Sequence, residues 1–262
     1  MQSWNDLLAR LGHPLANFLE SFGSMTRLAG QALKLSFRRP LETAEAIHHL
    51  DQMGIGSISI AMITLFASGM VMALQFAVGL DRFGGKEYVS VVVGLAILRE
   101  LGPVLTAVVV GGRVGSGTAA ELGSMAVTEQ IDAIRALGAD PVKKLVVPRL
   151  WAMLIVLPSL TLLADIIGIT GGMVISAIEL GLRPMSYVSD TIDGVELVDL
   201  ITGLVKTYFF GFGIVIISCY FGMNTYGGTE GVGNSTTRTV VVSLIFIFVA
   251  DFFLTRLLLI FG

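Results

Sequence analysis

Five long apolar runs, separated by polar segments, constrain this 262-residue chain more than any other feature of its sequence. Each run has about 20 residues or more, the length a helix needs to cross a hydrocarbon core of about 30 Å. Only 14% of the residues are charged, against about 25% in an average soluble domain. The runs are residues 55–80, about 89–110, 145–180, about 200–223 and 239–261. The sequence therefore predicts an all-α integral membrane protein with five transmembrane helices.

The third run is longer than one crossing needs, and it contains Pro158 and three glycines. This composition predicts a kinked or tilted helix, and a re-entrant part is an alternative. Residues 179–199 and 224–238 are predicted to be loops. No internal repeat is found, so the chain is predicted to be one domain, residues 1–262, with a transmembrane region over 55–262.

The first 50 residues combine an apolar stripe with basic side chains. The stripe recurs at helical spacing from Trp4 to Phe37, and the basic residues include Arg10, Arg27 and Lys34. This pattern is typical of an amphipathic helix that lies in the cytoplasmic headgroup region. A helix packed on the membrane domain itself would show the same pattern, and the two interpretations are compatible.

Basic residues are distributed unevenly between the two sides of the predicted bundle. Lysine and arginine are frequent before the first run and between the second and third runs, whereas the opposite side has only Arg82, Lys86 and Arg183. Because basic loops stay in the cytoplasm, the N-terminus is predicted to be cytoplasmic. Five crossings then place the C-terminus outside.

Several charged residues lie inside the apolar runs, and those singled out are Arg99, Glu100, Asp165, Lys206 and Asp251. Such residues cost at least ~2.5 kcal/mol each when unpaired, so they are expected to face the protein interior or a wet cavity. Arg99 and Glu100 point in different directions on a helix, which predicts different partners. A structural ion pair such as Glu100 with Lys206, a role in gating or headgroup binding, and a proton relay all remain open.

The polar segment between the second and third runs contains a short predicted helix, residues 128–137. Thr128 is the predicted N-cap, Glu129 and Asp132 lie in the first turn, Arg135 lies in the last, and Gly138 takes the left-handed position beyond it. Its apolar edge consists of Ile131, Ile134 and Leu137. A helix this short is marginal by itself, so a partner is expected to hold it. A surface helix without a partner is the alternative.

The glycine-rich segment VVVGGRVGSGTAAEL, residues 108–122, fits no nucleotide-binding motif. Thr118 stands where a Walker A loop requires lysine, and no βαβ alternation supports a dinucleotide fingerprint. Small residues on a membrane helix instead let other helices approach closely. The chain is therefore predicted to bind no ATP or other cofactor of its own.

Several other classes of site and function are also excluded by composition. The net charge of −3 gives no case for nucleic acid, and the single Cys219 gives none for disulfides. All three histidines precede the first apolar run, so neither a metal site nor a Ser/His/Asp catalytic set is expected. The chain is predicted not to be an enzyme.

Residues 99–149, RELGPVLTAVVVGGRVGSGTAAELGSMAVTEQIDAIRALGADPVKKLVVPR, closely resemble the MlaE/YrbE family of ABC-transporter permeases, as does TTRTVV at residues 236–241. The resemblance implies a homodimeric permease in a bacterial inner membrane, with a periplasmic C-terminus. It implies two cytoplasmic ATPase subunits that bind ATP and Mg²⁺ and a periplasmic ring of MCE-domain subunits. It also allows a small cytoplasmic accessory subunit. The implied cargo is glycerophospholipid, moved between the membranes of a Gram-negative cell so that outer-membrane lipid asymmetry is maintained.

The resemblance also implies roles for individual residues. EQIDAIRALG, residues 129–138, is similar to the family's coupling helix, which contacts the ATPase. RELGP places Arg99 and Glu100 at a charged site near the lipid cavity, and Lys206 matches a basic position in the fourth span. The residues assigned to the coupling helix are Thr128, Glu129, Gln130, Ile131, Asp132, Ile134, Arg135 and Gly138.

A lipid substrate would need an apolar chamber for its tails and a few polar groups for its headgroup. Met70, Leu74 and Val78 form one helical stripe in the first span and are candidate wall residues. Two rival functions remain: an ion-coupled secondary transporter that uses Glu100, Asp165 and Asp251, and a membrane scaffold. The absence of an inverted repeat weighs against the first rival, and charges at bilayer depth weigh against the second.

Overall fold

The structure is a computed structural model that describes residues 2–38, 42–82 and 84–261, with side chains from residue 19 onward except residues 259 and 261. This part of the chain is helical and contains no strand. The helices are α1 (Gln2–Ser36), α2 (Thr43–Asp81), α3 (Val89–Ala96), α4 (Gly102–Val110), α5 (Ser116–Val127), α6 (Gln130–Ala136), α7 (Val147–Glu179), α8 (Pro184–Gly194), α9 (Leu197–Met223) and α10 (Gly228–Phe261). A 3-10 turn, Lys86–Tyr88, precedes α3, and π-helical segments Ile97–Leu101, Gly111–Gly115 and Val142–Val146 precede α4, α5 and α7.

Five helical stretches in the described part of the chain are long and apolar enough to cross a membrane, which confirms the predicted fold class. These stretches are Thr43–Asp81, Lys86–Val127, Val142–Glu179, Leu197–Met223 and Gly228–Leu258. By chain order, α2, α7 and α10 run from the end of the bundle that carries α6 toward the end that carries α8, whereas α3–α5 and α9 run the opposite way. We name these ends the α6 end and the α8 end.

The second span is longer than the sequence predicted. It was expected to end near residue 110, but the helix continues to Val127 through the π-helical segment Gly111–Gly115. Gly111 lets α9 pack closely on this part of the helix, because a Cβ there would lie 3.1 Å from Ile214 of α9. A Cβ on Gly115 would lie 3.5 Å from Thr239 of α10. The predicted close approach is therefore present at Gly111, whereas Gly112 and Gly117 have no atom within 4 Å of a Cβ position.

The core lies where α4, α7 and α9 meet. Val110, Met153, Leu157, Phe210 and Ile214 are all buried there. α7 itself is one unbroken helix with Pro158 in its interior, so the structure contains no re-entrant segment at this position.

α2 and α7 run parallel and in close contact because glycines face each other across the pair. A Cβ on Gly69 would overlap the carbonyl oxygen of Gly168, and a Cβ on Gly171 would overlap that of Phe66. Gly79, farther along α2, has no atom within 4 Å of the position of its Cβ. The two helices therefore touch backbone to backbone at Gly69 but not at Gly79.

Gly69→Ala is expected to lower the thermal unfolding midpoint of the purified protein by about 3–10 °C, because the added methyl group forces α2 away from α7. Gly79→Ala is the matched control, and it should leave the midpoint unchanged or raise it slightly because alanine is the better helix former. Equal shifts in the two variants would contradict the close packing.

The N-terminal helix packs partly on the bundle. Met25, Leu28 and Ala29 contact the core and Ala32 is buried in it, whereas Phe22 is exposed. This arrangement agrees with a helix packed on the membrane domain. The side chains of the predicted stripe before Leu19, beginning with Trp4, lie outside the described residues. α2 already begins at Thr43, within the segment assigned to the interfacial region.

Two segments predicted to be loops contain helix. The acidic segment 179–199 includes α8, which begins with Pro184, and the segment 224–238 is helical from Gly228 onward as the first part of α10. Pro184 occupies the first helical position, where the absent N–H costs no hydrogen bond. Polar composition was therefore an unreliable indicator of loops at both ends of this bundle.

Candidate functional site

A charged cluster joins α9, α10 and the π-helical segment Ile97–Leu101. Lys206 of α9 is fully buried, and its Nζ lies 2.6 Å from Oε2 of Glu100 and 3.0 Å from Oδ1 of Asp251. The same Nζ donates a hydrogen bond of 2.7 Å to Oγ1 of Thr255, and Thr255 donates to Glu100 at 3.2 Å. The ion pair between Glu100 and Lys206, one of the predicted alternatives, is present. Thr255 was missed by the sequence analysis.

The local sequence explains why Lys206 reaches this position. Pro103 has no N–H, so the carbonyl oxygen of Arg99, four residues earlier, loses its usual helical partner. Lys206 Nζ donates to that oxygen at 2.9 Å. Gly203, one turn before Lys206, has no side chain, and a Cβ there would overlap the carbonyl oxygen of Leu98. The RELGP motif and Gly203 together bring the ammonium group onto the second span.

Arg99 has a different partner from Glu100, which confirms that prediction. Its Nε and Nη2 contact Oδ1 of Asp199, whose side chain is buried. Asp199 Oδ2 also accepts a hydrogen bond of 2.9 Å from the backbone N–H of Glu196, so the two residues form a capping box at the start of α9. Asp199 was not predicted as a partner, although an acidic pair three residues apart before an apolar run is a visible signal.

Asp165, the fifth predicted residue, stands apart from the cluster. It is buried in α7, it has no ion pair among the described residues, and its Oδ1 has no hydrogen-bond partner there. A Cβ on Gly102 would overlap this carboxyl group, so Asp165 packs against α4. The structure therefore brings Glu100, Lys206 and Asp251 together and leaves Asp165 separate.

The candidate wall residues lie on the outer side of α2. Its inner stripe, which includes Gly69, Ala73 and Ala77, is buried. Met70 is half-buried, whereas Leu74 and Val78 are exposed. These positions are free to face a second chain or lipid, and their assignment to a cavity remains a prediction.

The short helix α6 begins later than predicted and without the predicted cap. Thr128 ends α5 instead: its hydroxyl donates to the carbonyl oxygen of Ser124 at 2.8 Å, and it makes no cap bond to α6. Glu129 is not in the first turn but precedes it, in the left-handed region at φ 59°. The prediction of an N-cap at Thr128 is therefore wrong, because the hydroxyl is used one turn earlier in the chain.

The remainder of α6 is anchored on one side and exposed on the other. Ile131 is buried and Ile134 packs against the core, but Leu137 is 86% exposed and so does not belong to the packed edge. Asp132 and Arg135 form an exposed ion pair of 2.7 Å. The other exposed residues of the segment include Glu129 and Gln130.

The end of α6 follows the predicted pattern. Gly138 has φ +77°, in the left-handed region, and its N–H donates to the carbonyl oxygen of Arg135 at 2.9 Å. A residue without Cβ takes this backbone conformation at no steric cost, so the chain can turn immediately beyond the helix. The helix therefore ends at the surface of the bundle, with its polar side chains exposed.

An ion pair between a buried arginine and a half-exposed glutamate links the helices on either side of α6. Arg149 of α7 is 2% exposed, and its Nη2 lies 2.7 Å from Oε1 of Glu121 on α5. Its Nη1 donates to the carbonyl oxygen of Leu145 at 2.6 Å. Because α6 is connected to α5 and α7, the ion pair limits how far α6 can move without them.

Comparison with known proteins agrees with this architecture. The family described as Permease MlaE matches residues 46–257. A probable ABC transporter permease protein of Rickettsia conorii is 41% identical over 94% of this chain and 95% of its own length. A second, from Synechocystis, is 39% identical over 94% of both chains. The chloroplastic protein TRIGALACTOSYLDIACYLGLYCEROL 1 of Arabidopsis thaliana is 37% identical over 88% of this chain and 66% of its own length. The five apolar helices and these matches together show that the chain is a multi-pass membrane protein that belongs to the MlaE permease family.

Proposed function

We propose that this chain is the permease subunit of an ABC transporter that moves glycerophospholipids between the inner membrane and a periplasmic carrier, and so maintains outer-membrane lipid asymmetry. Its similarity to proteins named as ABC transporter permeases supports the transporter class. The name of the Arabidopsis relative contains a glycerolipid, which supports lipid as the cargo class. ATP and Mg²⁺ would be bound by a separate cytoplasmic ATPase.

The observation that carries the proposal is the charged cluster at the edge of an otherwise apolar surface. Lys206 is buried, but the side chains of Glu100 and Asp251 are 40% and 21% exposed in the single chain. Partly exposed carboxylates at bilayer depth fit a chamber that receives a polar headgroup beside apolar tails. The cluster would supply charged groups to such a chamber, and this role requires no catalytic reaction by the permease.

A second copy of the chain would complete the chamber. α10 presents a row of exposed apolar residues along its length, including Ile245, Phe248 and Phe252. A homodimer with a two-fold axis beside α10 would bring two such rows and two charged clusters to one interface. The apolar rows would form the chamber wall, and Met70, Leu74 and Val78 would extend it.

α6 is the proposed contact with the ATPase. Its buried side is anchored by Ile131, and its exposed side carries charged residues and Leu137. With the α6 end in the cytoplasm, as the positive-inside rule predicts, these side chains face a cytoplasmic partner. The α8 end would then face the periplasm and the proposed MCE-domain ring, and a small accessory subunit would bind on the cytoplasmic side.

The proposal is tested with the purified transporter complex in nanodiscs, by measuring its ATPase rate and counting the phospholipid bound per complex. Glu129→Ala/Arg135→Ala is expected to uncouple or abolish the ATPase while lipid stays bound. Glu100→Ala is expected to lower lipid occupancy. A complex that contains no ATPase, or in which neither variant has an effect, would contradict the proposal.

Asp165 favours the rival function of an ion-coupled transporter. A buried carboxyl group without an ion pair in the described part of the chain is the kind of group that takes up and releases a proton. Under that function, transport would follow a proton gradient and would not need ATP. Asp165→Asn should then stop transport, whereas the ABC proposal predicts that transport continues.

A further inference from the structure

A pocket of about 340 Å³ lies between α2 and the second span at the α6 end, apart from the charged cluster. His49 and Gln52 of α2 line one side, and Arg113, Thr118 and Glu121 of the second span line the other. The volume lies within the range of about 300–1,000 Å³ found for pockets that bind small molecules. Four of these side chains, those of His49, Gln52, Arg113 and Thr118, can donate hydrogen bonds.

Arg113 gives the pocket a positioned positive charge. Its guanidinium group lies on the backbone of α2, because a Cβ on Gly56 would overlap it, and its Nη1 donates to Oγ of Ser57 at 3.0 Å. None of the ion pairs between described residues includes Arg113. A guanidinium has five N–H donors in a fork that matches phosphate geometry, so several donors remain available for an anion.

His49 leaves a buried nitrogen without a partner. The residue is 5% exposed, and its Nδ1 has no hydrogen-bond partner among the described residues. Buried polar groups are nearly always hydrogen-bonded, so a ligand or water is expected to complete this one. Glu121 does not cancel the charge of Arg113, since its carboxylate is already paired with Arg149 at 2.7 Å.

The pocket lies near the polar end of the bundle, close to the start of the apolar run. His49 lies about 9 Å from the start of α2, and Glu121 lies about 9 Å from the end of α5, at 1.5 Å per residue. The apolar run of α2 begins only a few residues beyond His49. The pocket is therefore placed where the polar end of the bundle meets its apolar middle.

We propose that this pocket binds the phosphate group of a phospholipid from the leaflet at the α6 end. Arg113 pairs with the phosphate, and His49, Gln52 and Thr118 supply hydrogen bonds. This binding site is separate from the Glu100 cluster and does not depend on the proposed transport function. Soluble phosphate has the same recognition chemistry and is therefore included in the test as a separate ligand.

The test measures the thermal unfolding midpoint of the purified full-length protein in detergent as ligand is added. The probes are dihexanoyl phosphatidylethanolamine, dihexanoylglycerol without phosphate, and inorganic phosphate against chloride at equal ionic strength. The phosphate-containing lipid should raise the midpoint, and dihexanoylglycerol should not. If inorganic phosphate is equally effective, the site takes free phosphate; if only the lipid is effective, the site takes a lipid headgroup.

Arg113→Gln should weaken the midpoint response to the phosphate-containing ligand by about tenfold in ligand concentration, because one charge-assisted contact is lost. Gln52→Leu, at an exposed position, should weaken it by about fivefold. Lys86→Gln removes an equal charge at the α8 end and is the control. A response to dihexanoylglycerol equal to that of the lipid, or wild-type responses in both pocket variants, would overturn the proposal.

Discussion

Replacing both carboxylates around Lys206, as Glu100→Gln/Asp251→Asn, should destabilise the protein by about 3–5 kcal/mol, because a fully buried ammonium group loses both charged partners. Either single replacement should cost less than half as much, since the other carboxylate still pairs with Lys206. The loss should therefore be larger than the sum of the two single effects. Thermal unfolding of the purified protein in detergent measures all three variants.

Lys206→Met added to the double variant is the matched control. It removes the stranded charge and fills similar space, so it should restore at least half of the lost stability. A double variant as stable as the wild type, or a triple variant less stable than the double, would show that these residues do not form a paired network. Thr255 stays unchanged in every variant and keeps the hydroxyl available.

Leu137→Asp should reduce ATP-driven transport by the assembled complex at least about tenfold, because it places a charge on the apolar tip of the proposed coupling helix. The side chain is 86% exposed in the single chain, so the stability of the permease itself should not change by more than about 0.5 kcal/mol. Transport and unfolding are measured on the same preparation.

Met185→Asp is the control for this second prediction. Met185 is 83% exposed at the α8 end, so the substitution also replaces an exposed apolar side chain by a carboxylate but lies far from α6. It should leave the coupling of ATP hydrolysis to transport at the wild-type level. Equal losses in the two variants, or a Leu137→Asp complex with normal transport, would remove α6 from the coupling role.

The sequence was sufficient for the number of spans because apolar length is a strong local signal. It was insufficient for their ends, as the segment from Gly111 to Val127 shows. Glycine, serine and charged residues there suggested a connection, yet the segment is helical and Gly111 packs closely against Ile214. In a bundle whose helices extend beyond the hydrocarbon, small and polar residues no longer distinguish a loop from a helix end.

Partners of the intramembrane charges were only partly predictable. The pair of Glu100 with Lys206 was one of several alternatives, because a periodic pattern gives the face of a residue but not the order of helices around the bundle. Asp251 and Thr255 belong to the cluster only because α10 lies beside α9 in the bundle. By contrast, the released carbonyl of Arg99 follows directly from the proline four residues later and could have been predicted.

The turn before α6 illustrates a second kind of error. Thr128 has the composition of an N-cap, but its hydroxyl already bonds the carbonyl of Ser124, and Glu129 takes a left-handed conformation instead. Two helices compete for the same short segment, and side-chain preference alone does not decide between them.

The pocket around His49 and Arg113 was not predicted from the sequence, because its residues lie far apart along the chain.

Transfer of a fluorescent phospholipid out of proteoliposomes that contain the complete complex distinguishes ATP-driven lipid transport from proton-driven transport. For an ABC lipid permease, we expect transfer that requires ATP, stops when ATP is replaced by a non-hydrolysable analogue, and continues unchanged when a protonophore collapses the proton gradient. Transfer that proceeds without ATP and is abolished by the protonophore would contradict it.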